Sequence, residues 1–228
     1  MTADTQIRPG RAEIISRTLL INEIFLSIQG ETSRSGLPTV FVRLTGCPLR
    51  CVYCDTAYAF TAGEKMAIGE ILQQVSRYRT PYVTVTGGEP LAQKDCLQLL
   101  TLLCDEGYQV SLETSGALDI AAVEDRVVRV LDIKTPASGE VARNRFANLD
   151  HLTRKDQVKL VICDRDDYEW SKSRLLEYRL NERCEVLFSA SHGHLAAREL
   201  AEWILADRLP VRLQIQLHKH LWGDTPGR

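Results

Sequence analysis

Cys47, Cys51 and Cys54 are the residues whose spacing most directly implies chemistry: three thiols within eight positions, separated by three and then two residues. A loop that short aims three thiolates at one point, so it reads as a metal site. Soft thiolates select zinc, copper(I) or iron–sulfur clusters. Structural zinc takes four protein ligands, and no second cysteine pair or histidine pair stands at zinc-finger spacing elsewhere in the sequence. Three thiolates on a four-iron cluster leave one iron open to a small molecule, as a reactive cluster needs and a pure electron carrier does not. The other reading of the same residues is a zinc site closed by a remote histidine, or three buried thiols that bind nothing. The remaining cysteines read as core: Cys96 and Cys104 on the apolar face of a helical pattern, Cys163 closing a strand, Cys184 opening one. Seven cysteines, an odd count, suit ligation in a reducing compartment better than a disulfide framework.

The elements that must carry this loop are β-rich runs alternating with amphipathic helices. TVFVRLTG, YVTVTGG, YQVSLETSG, VVRVLDIK, DQVKLVI, CEVLFSA and VRLQIQL are the predicted strands. Helical stripes appear at Ile68, Ile71, Leu72 and Val75, at Cys96, Leu99, Leu100 and Leu103, and at Ala196, Leu200, Trp203 and Ile204. Near-continuous apolar strands between helices predict an α/β fold, a parallel sheet covered by helices in an open layer or a full or partial barrel. In such folds ligands gather past the C-terminal ends of the strands. There the chain reads GCPLRCVYCDT, TGGEP, ETSG, DIKTP and SASHGH, so the chemistry converges on one face.

With 228 residues, 44% apolar and 25% charged, the composition is that of one soluble globular domain. Residues 1–17 mix charge with Pro9 and Gly10 and read as a poorly ordered lead-in, leaving 18–228 as the core domain. A net charge of -2 gives no basic field for a nucleic-acid backbone, so small molecules are the expected partners. No apolar run approaches the roughly 20 residues of a membrane span. The opening also lacks the apolar core of a secretory signal, which together predicts a cytoplasmic protein with no membrane partner.

CPLRCVYC resembles the CxxxCxxC signature of the radical S-adenosylmethionine superfamily, and TGGEP, residues 86–90, resembles its GGEP motif. In that superfamily the open iron of a [4Fe-4S] cluster chelates S-adenosylmethionine. The resemblance extends over nearly the whole chain to the 7-carboxy-7-deazaguanine synthases of deazapurine and queuosine biosynthesis. SIQGETSRSGLPTVFVRLTGC matches their opening, Cys54-Asp55-Thr56 their cluster exit, ETSG and DIKTP their middle strings, and Gln216 to Lys219 their QxHK ending. Thr32 departs from the pattern, standing where the family usually has glycine.

The resemblance implies a single-domain partial (β/α) barrel and a lyase that converts 6-carboxy-5,6,7,8-tetrahydropterin to 7-carboxy-7-deazaguanine with loss of ammonia. It implies Cys47, Cys51 and Cys54 as cluster ligands and Thr56 as a ligand of Mg2+. It places S-adenosylmethionine along Tyr53, Cys54, Asp55, Gly88, Asp132, Ile133, Lys134 and Ser189. It places the pterin against Ile28, Gln29, Gly30, Glu31, Arg43, Thr86 and His218. These roles make chemical sense, since a carboxylate accepts in a bidentate way from a guanidine-like edge and Arg43 suits the substrate carboxylate. In the implied scheme a 5′-deoxyadenosyl radical takes the hydrogen at C6 and hydrogen later returns, so no dedicated protein acid or base is required. An electron donor such as flavodoxin or ferredoxin and a homodimer are also implied. Two rivals stand beside this reading: a glycyl-radical activating enzyme, which shares the cysteine loop but not the QGE and QxHK strings, and a zinc-stabilised binding module without catalysis.

Overall fold

Strands with buried residues on both faces can pair only inside a sheet covered on both sides, and this chain has a run of them. The computed structural model describes residues 10–223, 225 and 227. Its sheet has nine strands in the order β3-β1-β2-β4-β5-β6-β7-β8-β9. Here β1 is Thr18–Ile28, β2 Pro38–Leu44, β3 Glu64–Ala67, β4 Tyr82–Gly87, β5 Gln109–Thr114, β6 Val128–Ile133, β7 Gln157–Ile162, β8 Glu185–Ala190 and β9 Arg212–Gln214. From β2 through β4 to β9 every neighbouring pair is parallel. β1 runs antiparallel to both β2 and β3. The helices are α1 Arg11–Ser16, α2 Ile68–Ser76, α3 Cys96–Asp105, α4 Arg165–Glu177, α5 Leu180–Arg183, α6 Ala197–Asp207 and α7 Leu217–Trp222. The result is the open, partial α/β barrel expected from the sequence.

Strand periodicity of two separates the barrel's faces. Val83 and Val85, Val110 and Leu112, Leu131 and Ile133, Val158 and Leu160 belong to the apolar core. The residues between them, Thr84 and Thr86, Ser111 and Glu113, Asp132, and Lys159, fall on the other face, where the barrel interior is polar. Ile133 is therefore a core residue, 3% exposed, and its side chain points away from the cofactor region to which the sequence assigned it.

Several elements differ from the sequence expectation. The lead-in contains α1 over Arg11–Ser16, while residues 1–9 lie outside the described residues. β1 and β3 were not among the predicted strands: β1 is half-exposed along its middle, so no clean alternation marks it. VRLQIQL supplies only the short β9 before Leu217 opens α7. α4 has little apolar stripe; it is fixed by its N-cap, Asp164, which accepts from Asp167 N at 2.9 Å, and by the fully buried Tyr168. β6 and β7 are joined by the short 3-10 turns Pro136–Ser138, Val141–Arg143 and Phe146–His151 instead of a covering helix. Of the four cysteines read as core, Cys96 and Cys184 are buried, whereas Cys104 and Cys163 are only partly so.

Two loops at the C-terminal edge are tied by one carboxylate. Glu89, 0% exposed, accepts from Thr114 Oγ1 at 2.9 Å, Ser115 N at 2.7 Å and Leu91 N at 3.0 Å, and from Ser115 Oγ. GGEP and ETSG thus form one unit. Glu89→Ala strands buried donors, each worth roughly 1–3 kcal/mol. We expect a loss of about 3 kcal/mol, or roughly 6–12 °C in Tm for a chain of this size, in a thermal melt. An unchanged Tm contradicts the bracing role.

Candidate active site

A cavity of about 570 Å³ opens at the C-terminal ends of the parallel strands, and the cysteine loop forms part of its wall. The loop leaves β2 through Thr45 and Gly46 and is held from several sides. Gly46 accepts from Glu89 N at 2.8 Å, Val52 N donates to Ser138 O at 3.0 Å, and Cys54 N donates to Cys51 O at 3.2 Å. Arg50 Nη1 donates to Cys47 O at 2.8 Å, and its guanidinium lies 4.3 Å from the Phe60 ring centroid. Cys47, Cys51 and Cys54 all line the cavity as free thiols.

Burial pushes the Cys51 thiol up to about 11 and raises that of Cys47, so at neutral pH both are thiols, and a metal that took them as ligands would displace their protons. Among the described residues no three His, Cys, Asp or Glu side chains converge as a single ion requires.

Some of the groups expected around S-adenosylmethionine carry an unmet hydrogen-bonding demand that owes nothing to the motif. Asp132 Oδ1 and Ser189 Oγ are buried without a hydrogen-bond partner among the described residues, and the Tyr53 hydroxyl is buried beside Thr135. Such orphans call for an explanation, and a polar ligand supplies one. Tyr53, Cys54, Asp55, Gly88, Asp132 and Lys134 line the cavity. Ser189 stands on β8 outside the lining, and Ile133 points into the core. Lys134 pairs with Asp132 at 3.0 Å. Its backbone N and O are both held by the Asn144 amide at 2.8 Å. Burial works to lower the Lys134 ammonium, but Asp132, with Tyr53 and Cys51, outweighs it and raises it.

The expected pterin residues, Ile28, Gln29, Gly30, Glu31, Arg43, Thr86 and His218, all line the same cavity. Gln29, 2% exposed, donates from Nε2 to Thr84 Oγ1 and Glu113 Oε1, both at 3.2 Å, and accepts from Glu31 N at 3.1 Å. Lys159 Nζ lies 2.8 Å from Glu31 Oε2 and 3.5 Å from Asp132 Oδ2. Thr86 Oγ1 donates to Glu113 Oε2 at 3.3 Å. Burial pushes the Glu113 carboxyl above its usual range, while Lys159 pulls it down. Lys159 and Glu113 are cavity residues that sequence reasoning left out of the site. Their signal was parity: both sit at strand positions facing the same side as Thr86 and Asp132.

His218 is brought in by α7, whose Leu217 N donates to Gly30 O at 3.0 Å. Burial lowers the His218 imidazolium, which favours the neutral ring. Thr56 lines the cavity beside the cluster loop, its Oγ1 3.8 Å from Cys54 Sγ. Of the GDTPGR tail, Gly223, Thr225 and Gly227 line the cavity; Asp224, Pro226 and Arg228 lie outside the described residues. Thr32 has φ 69°, the left-handed conformation that glycine adopts without strain, which explains why a glycine suits that position. Its Oγ1 accepts from Arg34 N at 3.2 Å, so the loop keeps its turn and Glu31 its place.

The Radical SAM superfamily profile matches residues 41–133, which include the cysteine loop, GGEP and ETSG. Curated proteins named 7-carboxy-7-deazaguanine synthase match nearly end to end. That of Chlorobaculum tepidum is 45% identical, over 92% of this chain and 97% of its own. That of Koribacter versatilis is 42% identical, over 91% and 99%. Among solved structures, QueE from Escherichia coli superposes with a TM-score of 0.72 at 23% identity, covering 88% of this chain and 95% of its own. Streptococcus suis SuiB bound to S-adenosylmethionine shares the fold more distantly, at TM-score 0.54 over 75% of this chain and 44% of its own.

Gly30 leaves no room for a side chain. A Cβ there would stand 2.2 Å from His218 Nδ1 and 2.9 Å from His218 N. Gly30→Ala should therefore push α7 off the cavity: we expect faster amide exchange across 217–222 with unchanged iron content. Equal exchange in both proteins contradicts the packing.

Proposed function

The chain belongs to the family of 7-carboxy-7-deazaguanine synthases, and on that footing we propose that it converts 6-carboxy-5,6,7,8-tetrahydropterin to 7-carboxy-7-deazaguanine and ammonia. The observation that carries this reading is one cavity lined by three free thiols, by orphaned polar groups beside them, and by carboxylates facing them from the other strands. The family implies a [4Fe-4S] cluster and S-adenosylmethionine. When bound they supply one-electron, hydrogen-abstracting chemistry. Atoms balance without an added oxidant, because loss of ammonia accounts for the difference between substrate and product.

The residues divide the remaining work. Cys47, Cys51 and Cys54 hold the cluster. Tyr53, Asp55, Gly88, Asp132, Lys134 and Ser189 surround the cofactor, and the buried hydroxyl and carboxylate orphans among them gain partners from it. Glu31, buried, and Glu113, partly buried, are held by Gln29, Lys159 and Thr86 and present acceptors to the guanidine-like edge of the pterin. His218 closes the cavity over Ile28 to Gly30, and Arg43 takes the substrate carboxylate. Thr56 offers its hydroxyl to Mg2+, a hard cation that keeps open positions for water and carboxylate. A flavodoxin- or ferredoxin-like protein supplies the electron, and the enzyme works in the cytoplasm as a homodimer. No helix among the described residues is long and apolar enough to cross a membrane.

Anaerobic reconstitution with iron and sulfide, followed by the carboxytetrahydropterin, S-adenosylmethionine and a reductant, tests the whole. We expect the deazaguanine chromophore from wild type and none from Cys51→Ala, with the cluster absent from the variant. Turnover by wild type that survives in Cys51→Ala contradicts the assignment. For Mg2+, Thr56→Ala in metal-stripped, cluster-loaded enzyme should lower turnover up to roughly a hundredfold through misplacement of about 1 Å, and Thr56→Ser should keep most of it. Identical Mg2+ activation curves for wild type and Thr56→Ala remove Thr56 from the metal site.

A further inference from the structure

Arg43 does not face the cavity as a lone charge. On the antiparallel β1–β2 pair Glu23 stands directly across from it. Glu23 Oε1 accepts from Arg43 Nε at 2.7 Å and from the Tyr58 hydroxyl at 2.8 Å. Both charged side chains are largely withdrawn from water, Arg43 14% and Glu23 21% exposed. The guanidinium carbon lies 5.8 Å from the Phe25 ring centroid and 6.0 Å from that of Tyr58, while Phe25 itself stacks on Phe41 at 5.1 Å. Partial burial pushes the Tyr58 phenol up to about 12, so at neutral pH it is a donor to Glu23. Phe25, Arg43 and Tyr58 line the cavity, whereas Glu23 stands outside the lining.

We propose that Glu23 is a positioning residue: seated on Tyr58, it holds Arg43 by Nε so that the terminal nitrogens of the guanidinium meet a carboxylate of the substrate end-on. The inference rests on the reading of Arg43 as the carboxylate's partner. The geometry gives it content beyond an ordinary ion pair. A guanidinium has a planar fork, and fixing Nε fixes the plane and direction in which the other two nitrogens can form parallel hydrogen bonds. The rings of Phe25 and Tyr58, both within about 6 Å of the guanidinium, crowd rotation about that contact. Tyr58 follows the cysteine loop in the turn Ala57–Phe60, so the same contact ties the substrate wall to the cluster segment. Glu23 thereby acts on the substrate through Arg43 alone.

A pair of ligands separates this role from general support of the fold. Binding of 6-carboxytetrahydropterin, and of tetrahydropterin without the carboxylate, is measured by anaerobic calorimetry on cluster-loaded protein with S-adenosylmethionine present, and iron content is recorded for each variant. In Glu23→Ala we expect roughly tenfold weaker binding of the carboxylate-bearing ligand, the size of one charged hydrogen bond, with no change for the other ligand. Glu23→Gln, which keeps an acceptor for Arg43 and Tyr58, should recover most of the difference. Tyr58→Phe, which leaves both charged residues in place, should show the same selective loss at smaller size. Equal weakening of both ligands, or no weakening of either in Glu23→Ala while Arg43→Ala loses the carboxylate preference, overturns the positioning role. If Arg43→Ala itself binds both ligands as wild type does, it is the carboxylate reading of Arg43 that fails.

Discussion

The structure depends on a backbone-to-backbone contact that tolerates no side chain. Where β4 leaves the sheet, a Cβ on Gly87 would stand 2.3 Å from Leu44 O, and one on Gly88 2.3 Å from Gly46 O and 2.7 Å from Cys47 Cβ. Only glycine permits that approach. Gly88 N and Glu89 N then donate to Leu44 O at 3.2 Å and Gly46 O at 2.8 Å, so the GGEP turn is hydrogen-bonded to the root of the cysteine loop. Glu89 continues the chain of constraint into ETSG. The glycines and the glutamate of GGEP are thus explained by one packing requirement at the C-terminal edge of the sheet, which also seats the root of the cysteine loop at the cavity.

Inside the cavity the governing term is charge. Glu31, Lys159, Asp132 and Lys134 alternate in sign along a buried line with successive contacts of 2.8, 3.5 and 3.0 Å. Buried ion pairs contribute little net stability, because desolvation offsets the attraction. A fold selected only for stability could replace them with apolar side chains, so their presence here suits recognition of polar groups. The line also joins the residues assigned to the pterin to those assigned to the cofactor. Asp132 illustrates the division: Oδ2 meets both lysines, while Oδ1 is buried without a partner.

Much of this was legible in the sequence where the physics is local. Parallel strands buried on both faces announce themselves as apolar runs, and the loops after them carried CPLRCVYC, TGGEP, ETSG and DIKTP in plain view. What escaped depends on tertiary context. β1 is half-exposed, so its pairing with β2, and with it the Glu23–Arg43 contact, had no periodic signal. α4 is held by a cap and one buried tyrosine more than by a stripe. Ile133 was swept into the site with its neighbours Asp132 and Lys134, yet strand alternation turns its side chain into the core. Lys159, inside the apolar run DQVKLVI, is an inward-facing ammonium matched to two carboxylates. Cys104 packs against the core as its helical pattern predicts, though only partly buried, and Cys163 is partly buried as well. Thr32 broke the family pattern without breaking the loop, since its left-handed backbone and its hydroxyl bond to Arg34 N coexist.

The central claim is that one cavity holds the pterin with its C6 hydrogen against the cofactor. Substrate deuterated at C6 tests it most directly when S-adenosylmethionine recovered from turnover is analysed by mass spectrometry. The account predicts deuterium at the 5′ carbon of the recovered cofactor. Deuterium retained wholly in the product, or lost to solvent with none in the cofactor, would contradict it.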